Sequence, residues 1–394
     1  MKIAIITEYY KSRNYGGNLQ AYALSHAASS LIEGAVVEQI SYEKGGGSRS
    51  VKRMGALCFL KKATRYCIHR AIKPFKKALS RKKERLIRPL LQERYRCLDT
   101  FNQEKIPHSK VYNAATIADA AAEYDVFITG SDQVWNPSFW NPAYRLEFVP
   151  SGKPKLSYAA SISRDRVSEE EAEIFRKSLA DYTAISVREE RAVGLLSPLA
   201  PCEARWVLDP TLLLTRDDWD GICDARRVSE KYVFCYFLGD DLRSRQLARE
   251  YAEKHGLLLV TIPFLNGAYR KCDVEFGDIR LSDVSPSGFI SLIKYAEFVF
   301  TDSFHATVFS GIYKRQFFVF DRSVSGHSMG SRLDSLLSLY EAKERFANCE
   351  ERVSFAYLEN LPPIDYSRKL AKLDEMRARS LAFLRRNLEK AEEK

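Results

Sequence analysis

Residues 289–320 read FISLIKYAEFVFTDSFHATVFSGIYKRQFFVF, a stretch that alternates helix, strand, helix, strand. Phe289, Leu292, Ile293 and Ala296 recur at helical spacing and share one face. Ser285 and Pro286, just before them, suit an N-cap and a first helical position. Phe298-Val299-Phe300 is a short buried strand. Thr301–His305 then turns into a second helix, which closes before a strand at 317–320. In an open α/β sheet, ligands bind beyond the carboxyl ends of the strands. The first turn of the following helix offers free N–H groups and a partial positive charge. His305 therefore stands where an anion would be held. Asp302 and Ser303 read equally well as ordinary caps, and His305 as a packed histidine.

Outward from this stretch, composition bounds the rest. A chain of 394 residues points to two domains, and 45% hydrophobic residues supply ample cores. The eight cysteines form no C-x-x-C pair, which disfavours a zinc ribbon or a thioredoxin motif and fits reduced thiols in a cytoplasm. The opening MKIAIITEYY has too short an apolar run for a signal peptide, ended by Glu8. No run approaches the ~18 apolar residues of a membrane span. The expectation is a cytoplasmic protein, soluble or peripheral at the inner membrane face.

Ile3–Thr7 reads as a buried parallel strand. After a polar loop, Leu19–Ile32 reads as a helix stopped by Gly34. Gly16 and Gly17 permit close backbone approach, so this loop holds either a ligand over the helix N-terminus or simply a tight turn. The pattern is not G-x-G-x-x-G, which leaves a dinucleotide site without support. Val36–Tyr42 is the next strand. The region 49–96 differs in character. It carries 17 Lys or Arg against Glu84 and Glu93, interleaved with Leu57, Phe59, Leu60, Ile68, Ile72, Phe75, Leu79 and Leu86. Basic amphipathic helices of this kind lie on anionic membrane surfaces; a solvated insertion is the alternative. No nucleic-acid motif accompanies the basic run, and no nucleic-acid partner is expected.

Tyr124–Thr129 is a strand running into Gly130-Ser131-Asp132-Gln133-Val134-Trp135-Asn136-Pro137, a polar loop with a tryptophan that suits binding or a turn with a packed Trp. Ser168 and Glu171 form a capping box at the head of a charged helix. Ala184–Val187 is a strand whose end carries Arg188. Asp209-Pro210 is a stiff turn between apolar flanks. Strand Tyr232–Leu238, helix Arg243–His255 and strand Leu257–Ile262 restart the β-α alternation. A long charged helix follows Pro362-Pro363. The organisation expected is an α/β chain of two Rossmann-like domains. The first is 1–205, with the basic insertion 49–96. The second is 206–365, and a helix at 366–394 follows.

Seven segments in order resemble the polysaccharide pyruvyl transferase family: NYGGNLQAYAL, YDVFITGSDQVWN, SYAASI, ISVREERAV, VLDPTLLL, FVFTDSFHATVFSGIYKRQFFVF and GSRLDSLL. They span about residues 1 to 340. The resemblance implies a glycosyltransferase-B-like pair of domains around a central cleft, with the acceptor on the first domain and the donor on the second. It implies phosphoenolpyruvate as donor substrate and a pair of sugar hydroxyls as acceptor, the product being a pyruvate ketal on a glycan of the exopolysaccharide or capsule kind. No cofactor and no metal are called for.

The family's histidine matches His305, and the arginine of its S-x-R-E segment matches Arg188. A basic residue after the next strand is most nearly Arg322. Many members carry arginine two places before the histidine. Here Ser303 stands there, and Arg332 is the candidate to supply that charge. The residues agree with the chemistry implied. Phosphate and carboxylate side by side call for two or more cations, preferably forked. A histidine is the natural general acid for the donor's methylene carbon. Asp132 would receive the attacking hydroxyl's proton or hydrogen-bond the acceptor. Asn14, Gly16, Gly17, Asn18, Gln133, Trp135 and Asn136 complete the expected acceptor side. A sugar-nucleotide glycosyltransferase on the same fold and a non-catalytic glycan-binding protein are the rival readings.

Overall fold

The computed structural model describes residues 1–44, 87–265, 270–322, 330–348, 353–366 and 371–393. The basic stretch expected at 49–96 therefore lies outside the described residues up to 86. From 87 it continues as a helix over 87–105.

Two parallel sheets form the frame. The first contains β1 (Lys2–Ile6), β2 (Val36–Glu43), β3 (His108–Asn113), β4 (Val126–Thr129) and β5 (Lys155–Ser157), ordered β3-β2-β1-β4-β5. The short pair β6 (Ser186–Val187) and β7 (Arg205–Trp206) extends it through isolated bridges from Leu156 to Ala184 and from Ala160 to Val187. The second sheet contains β8 (Tyr232–Tyr236), β9 (Leu258–Thr261), β10 (Ile279–Arg280), β11 (Phe298–Thr301), β12 (Gln316–Phe320) and β13 (Phe346–Ala347), ordered β10-β9-β8-β11-β12-β13. Each order reverses beside the unit's first strand, which makes each unit doubly wound, and the crevice at such a switch point is where ligands bind. β1, β4, β8 and β11 lie in the middle and are apolar on both faces, as helix-covered parallel strands must be. This is the expected pair of Rossmann-like units in a glycosyltransferase-B-like arrangement.

One element starts earlier than its sequence pattern indicates. The first helix runs Tyr15–Leu31, with Asn14 as N-cap accepting the Gly16 N–H at 3.0 Å. Gly16 and Gly17 thus belong to its first turn rather than to a loop. The apolar periodicity starts at Leu19, which is why the onset was invisible to it.

The units are joined by more than the linker. Tyr15 stacks on Phe289 with ring centroids 4.9 Å apart, and its hydroxyl donates to the Val284 carbonyl at 3.0 Å. Arg94, on the 87–105 helix, donates to the carbonyls of Pro263, Leu281 and Ser282 in the second unit. The helix Ala371–Glu392 packs back on the first helix. There Ser380 Oγ accepts the Leu208 N–H at 2.9 Å and Arg377 Nε donates to the Leu212 carbonyl at 2.7 Å. It thereby braces the linker between the sheets. Among the described residues no helix is long and apolar enough to cross a membrane.

Candidate active site

The carboxyl ends of β4, β6, β8 and β11 converge at one place. β11 ends in Thr301 and delivers Asp302, Ser303 and His305. Asp302 accepts the N–H groups of Leu238 at 2.7 Å and Gly239 at 2.6 Å, beyond the end of β8. Burial raises its carboxyl above the ordinary value, although Arg322 and those two amides pull the other way. Ser303 is the N-cap of helix Phe304–Ile312, its Oγ accepting the Ala306 N–H at 3.5 Å. His305 is therefore in the first turn, where the sequence places it, and is buried.

Arg188 follows β6 and is buried with Asp209, which the linker supplies. Its Nη1 donates to Asp209 Oδ2 at 2.7 Å, and its Nη2 lies 3.6 Å from Asp132 Oδ1. The guanidinium stands 4.6 Å from the Phe304 ring centroid, a cation–π distance across the two units. Burial alone would disfavour the charge on Arg188, but Asp209, Asp132 and Glu189 more than offset it and hold its pKa above the usual value.

Asp209 binds on every side. Oδ1 accepts the Thr211 N–H at 3.0 Å and the Thr211 hydroxyl at 2.6 Å; Oδ2 accepts the Ser131 hydroxyl at 3.3 Å. His305 Nε2 lies 3.7 Å from Oδ2. Burial pushes the Asp209 carboxyl up, yet His305, Arg188 and the Thr211 hydroxyl together outweigh it and hold the group well below the usual carboxylate range.

The first helix meets this cluster through its glycines. A Cβ on Gly16 would come within 2.0 Å of His305 Nδ1, and one on Gly17 within 2.9 Å of the Glu8 carbonyl. Gly16 is thus required by the imidazole from the other unit. Asp132 has a left-handed backbone, φ +62°, uncommon for a residue with a Cβ; it turns the loop after β4 at the cleft.

Two connected cavities occupy the cleft. The wide one, about 810 Å³, is lined on its inner side by Asn14, Tyr15, Asp132, Gln133, Asn136 and Arg322 and opens towards Phe139 and Phe264. The narrow one, about 50 Å³, is lined by Asp302, Ser303, His305, Arg322 and Arg332, and shares Asn14, Asp132 and Gln133 with the wide one. Of the expected donor set, Ser303, Arg322 and Arg332 line the narrow end, and Arg188 lies behind it, joined to Asp132. Arg332 is buried, and desolvation, with Arg188 adding repulsion, pushes its guanidinium down to about 10. Arg188 Nε and Nη2, Arg332 Nε and His305 Nε2 have no hydrogen-bond partner among the described residues.

Of the expected acceptor set, Asn14, Gln133 and Asn136 line the wide cavity; Asn136 Nδ2 donates to Gln133 Oε1 at 2.8 Å. Gly16, Gly17, Asn18 and Trp135 line neither cavity. Asn18 is fully buried. Trp135 is likewise fully buried, its indole N–H donating to the Tyr144 carbonyl at 3.3 Å and its ring packed edge-on against Phe175 and Tyr182. It anchors the loop from beneath instead of presenting a face to the cleft. In the sequence, Asp209 reads only as a turn residue. The signal that was present is an acid inside an eight-residue apolar segment, VLDPTLLL, where a buried carboxylate demands cationic partners. Among the described residues no group of His, Cys, Asp or Glu has the arrangement of a metal site.

A search among curated proteins finds no match. Among solved structures, the chain is similar to a MnaA–UDP co-structure from S. aureus, at 12% identity over 95% of this chain and 91% of that one, with a TM-score of 0.50. It is also similar to a putative UDP-N-acetylglucosamine 2-epimerase from Listeria monocytogenes (11% identity, 95% and 94% covered, TM-score 0.49). A third is the ADP-heptose lps heptosyltransferase II of E. coli (11% identity, 96% and 99% covered, TM-score 0.36). At such identities the likeness concerns the fold alone. The family model described as polysaccharide pyruvyl transferase matches residues 14–324, a span that takes in the helix start at Asn14, the Asp132 loop, Arg188, Asp209, His305 and Arg322. The chain belongs to the polysaccharide pyruvyl transferase family.

Proposed function

We propose that the protein transfers pyruvate from phosphoenolpyruvate to a pair of hydroxyls on a sugar, forming a pyruvate ketal on a cell-surface polysaccharide or its precursor. The observation that carries this reading is the narrow end of the cleft. Arg332 and His305 there, with Arg188 behind them, hold N–H groups without partners among the described residues, in a buried setting where charge-assisted hydrogen bonds are strong. A small anion with phosphate and carboxylate close together matches such donors.

The residues divide the chemistry. Arg188, Arg322 and Arg332 bind the donor's two anionic groups. His305 donates a proton to the methylene carbon, which makes the adjacent carbon electrophilic. A sugar hydroxyl in the wide cavity attacks that carbon and loses its proton. Phosphate leaves, and the second hydroxyl closes the ketal with loss of another proton. Asp132, which lines both cavities, orients the attacking hydroxyl as a hydrogen-bond acceptor. Asn14, Gln133 and Asn136 hold the rest of the sugar. The cations stabilise the departing phosphate, an electrostatic task performed by groups already in place.

The deciding experiment incubates the protein with phosphoenolpyruvate and acceptors containing galactose, mannose or N-acetylmannosamine. Ketal-bearing product is read by mass and phosphate release by assay. Turnover with a sugar nucleotide in place of phosphoenolpyruvate would favour the glycosyltransferase reading.

The basic stretch 49–96 is read, on its sequence, as a contact to an anionic membrane surface where a lipid-linked acceptor would be met. Each Lys or Arg at such a surface contributes about 1 kcal/mol, screened by salt. The protein is expected to sediment with phosphatidylglycerol vesicles at low salt and to be released at high salt. Indifference to those vesicles at low salt removes the membrane from the reading.

A further inference from the structure

We propose that Asp209 is the positioning residue of this site, holding Arg188 in place for the donor and counterbalancing the cations around His305; the inference rests on the pyruvyl-transfer reading. Asp209 is 1% exposed, and both its oxygens are taken up by Arg188, Ser131 and Thr211, so it acts through its neighbours, whereas Arg188 keeps Nε and Nη2 without hydrogen-bond partners among the described residues. The Thr211 amide and hydroxyl fix Oδ1, at 3.0 and 2.6 Å, and so aim Oδ2 at Arg188 Nη1, 2.7 Å away. Arg188 comes from the first unit, His305 from the second and Asp209 from the segment between them. One carboxylate thus sets the separation of the donor-binding arginine and the proton donor.

The distance to His305 matters. At 3.7 Å, Nε2 is near enough for the carboxylate to offset the repulsion between an imidazolium and its cationic neighbours. It is also beyond hydrogen-bond range, so the carboxylate does not take up the proton that must be transferred. The charged groups that share the narrow cavity with the ring are Arg322, Arg332, Asp132 and Asp302. Arg188 stands behind Asp209, and the uncharged Gly16 covers the Nδ1 edge.

Asp209→Asn separates positioning from plain charge removal. Deleting an anion beside an anion site would by itself tighten donor binding. Losing the support of Arg188 weakens it, by about tenfold or more if one charge-assisted bond is lost. Calorimetric titration with phosphoenolpyruvate reads the sign. Arg188→Ala added to Asp209→Asn is expected to cost little further donor affinity, because the two residues act through one bond and their losses do not add. Donor affinity that is unchanged or tighter in Asp209→Asn overturns the proposal, and so do fully additive losses in the double variant. Should Asp209→Asn fail to fold, Thr211→Val keeps the charge and removes one anchor of Oδ1. Donor binding weaker by about threefold is then expected, because the Thr211 amide still holds Oδ1, and unchanged affinity overturns the proposal. A wild type that binds no phosphoenolpyruvate refutes the function proposed above. In that case the same affinity measurements on the single and double variants, with inorganic phosphate as the anion, decide the role of Asp209 alone.

Discussion

The narrow end and the wide mouth of the cleft both carry cations, yet they differ in what those cations are doing. At the mouth each one is committed. Arg13 pairs with Asp99 at 2.7 Å and stacks on Tyr95, and Lys44 pairs with Glu8 at 2.6 Å. Arg164 pairs with Glu171 at 3.0 Å and donates to Ser138, while Arg94 is held by carbonyls of the opposite unit. At the narrow end Arg188 and Arg332 keep donor groups without partners among the described residues, and His305 keeps Nε2. A count of positive charge would favour the mouth, which Arg13, Lys44, Arg94 and Arg164 line. Only the inner one has donors to offer an anion; the outer one uses its cations to shape a cleft lined by amides, hydroxyls and aromatic rings, which suits a sugar.

The contrast can be broken most sharply at His305. His305→Ala is expected to lower turnover about 100- to 10,000-fold, the range for a lost general acid, with the fold intact by circular dichroism. Phosphate release from phosphoenolpyruvate in the presence of acceptor measures it, and activity within a few-fold of wild type removes His305 from the chemistry. Gly16→Ala tests the same ring from the first unit. A methyl group that must displace the imidazole is expected to cost about 100-fold in turnover, the usual penalty of a misplacement near 1 Å, with much less change in donor affinity.

Arg188→Ala and Arg332→Ala are each expected to weaken phosphoenolpyruvate binding about 10- to 100-fold in calorimetric titration. Arg188→Lys should recover only part, because a point charge lacks the fork. Adding Ser303→Arg to Arg332→Ala should restore some affinity, since both residues line the same narrow cavity; an innocuous Arg332→Ala would end the idea that Arg332 stands in for a charge at 303. The smallest effect belongs to the mouth. Arg13→Ala is expected to leave donor affinity within about twofold, as befits a partly exposed, paired charge. A large loss there would erase the distinction between the two regions.

How much of this the sequence disclosed varied with how local the cause was. The alternation of strand and helix over 289–320, the capping box at Ser168 and the placement of His305 in a helix's first turn depend on neighbours in the chain, and they were legible. Trp135 looked like a ligand contact because its sequence neighbours are polar. Its burial is decided by Phe175 and Tyr182, some 40 residues on. Gly16 was legible as a place of close approach. What approaches is His305, which no local pattern can indicate. Asp209 was read as a turn because Asp-Pro is a turn signal; that its carboxylate meets Arg188 and His305 follows only once two sheets have been set side by side. β7 and β13, with two residues each, carry no periodicity to detect.

The helix Ala371–Glu392 lies outside the cleft, yet it grips the segment that carries Asp209, through Ser380 to the Leu208 amide and Arg377 to the Leu212 carbonyl. Proteins open in sub-global units whose free energies fall below that of complete unfolding. If this helix is such a unit, its release frees the 208–212 segment while both sheets persist. Heat or denaturant would then switch the enzyme off before it melts, and amide exchange at Leu208 would report the moment. The working lifetime of the site would in that case be set by the grip of one peripheral helix, with the sheets' own stability a separate quantity.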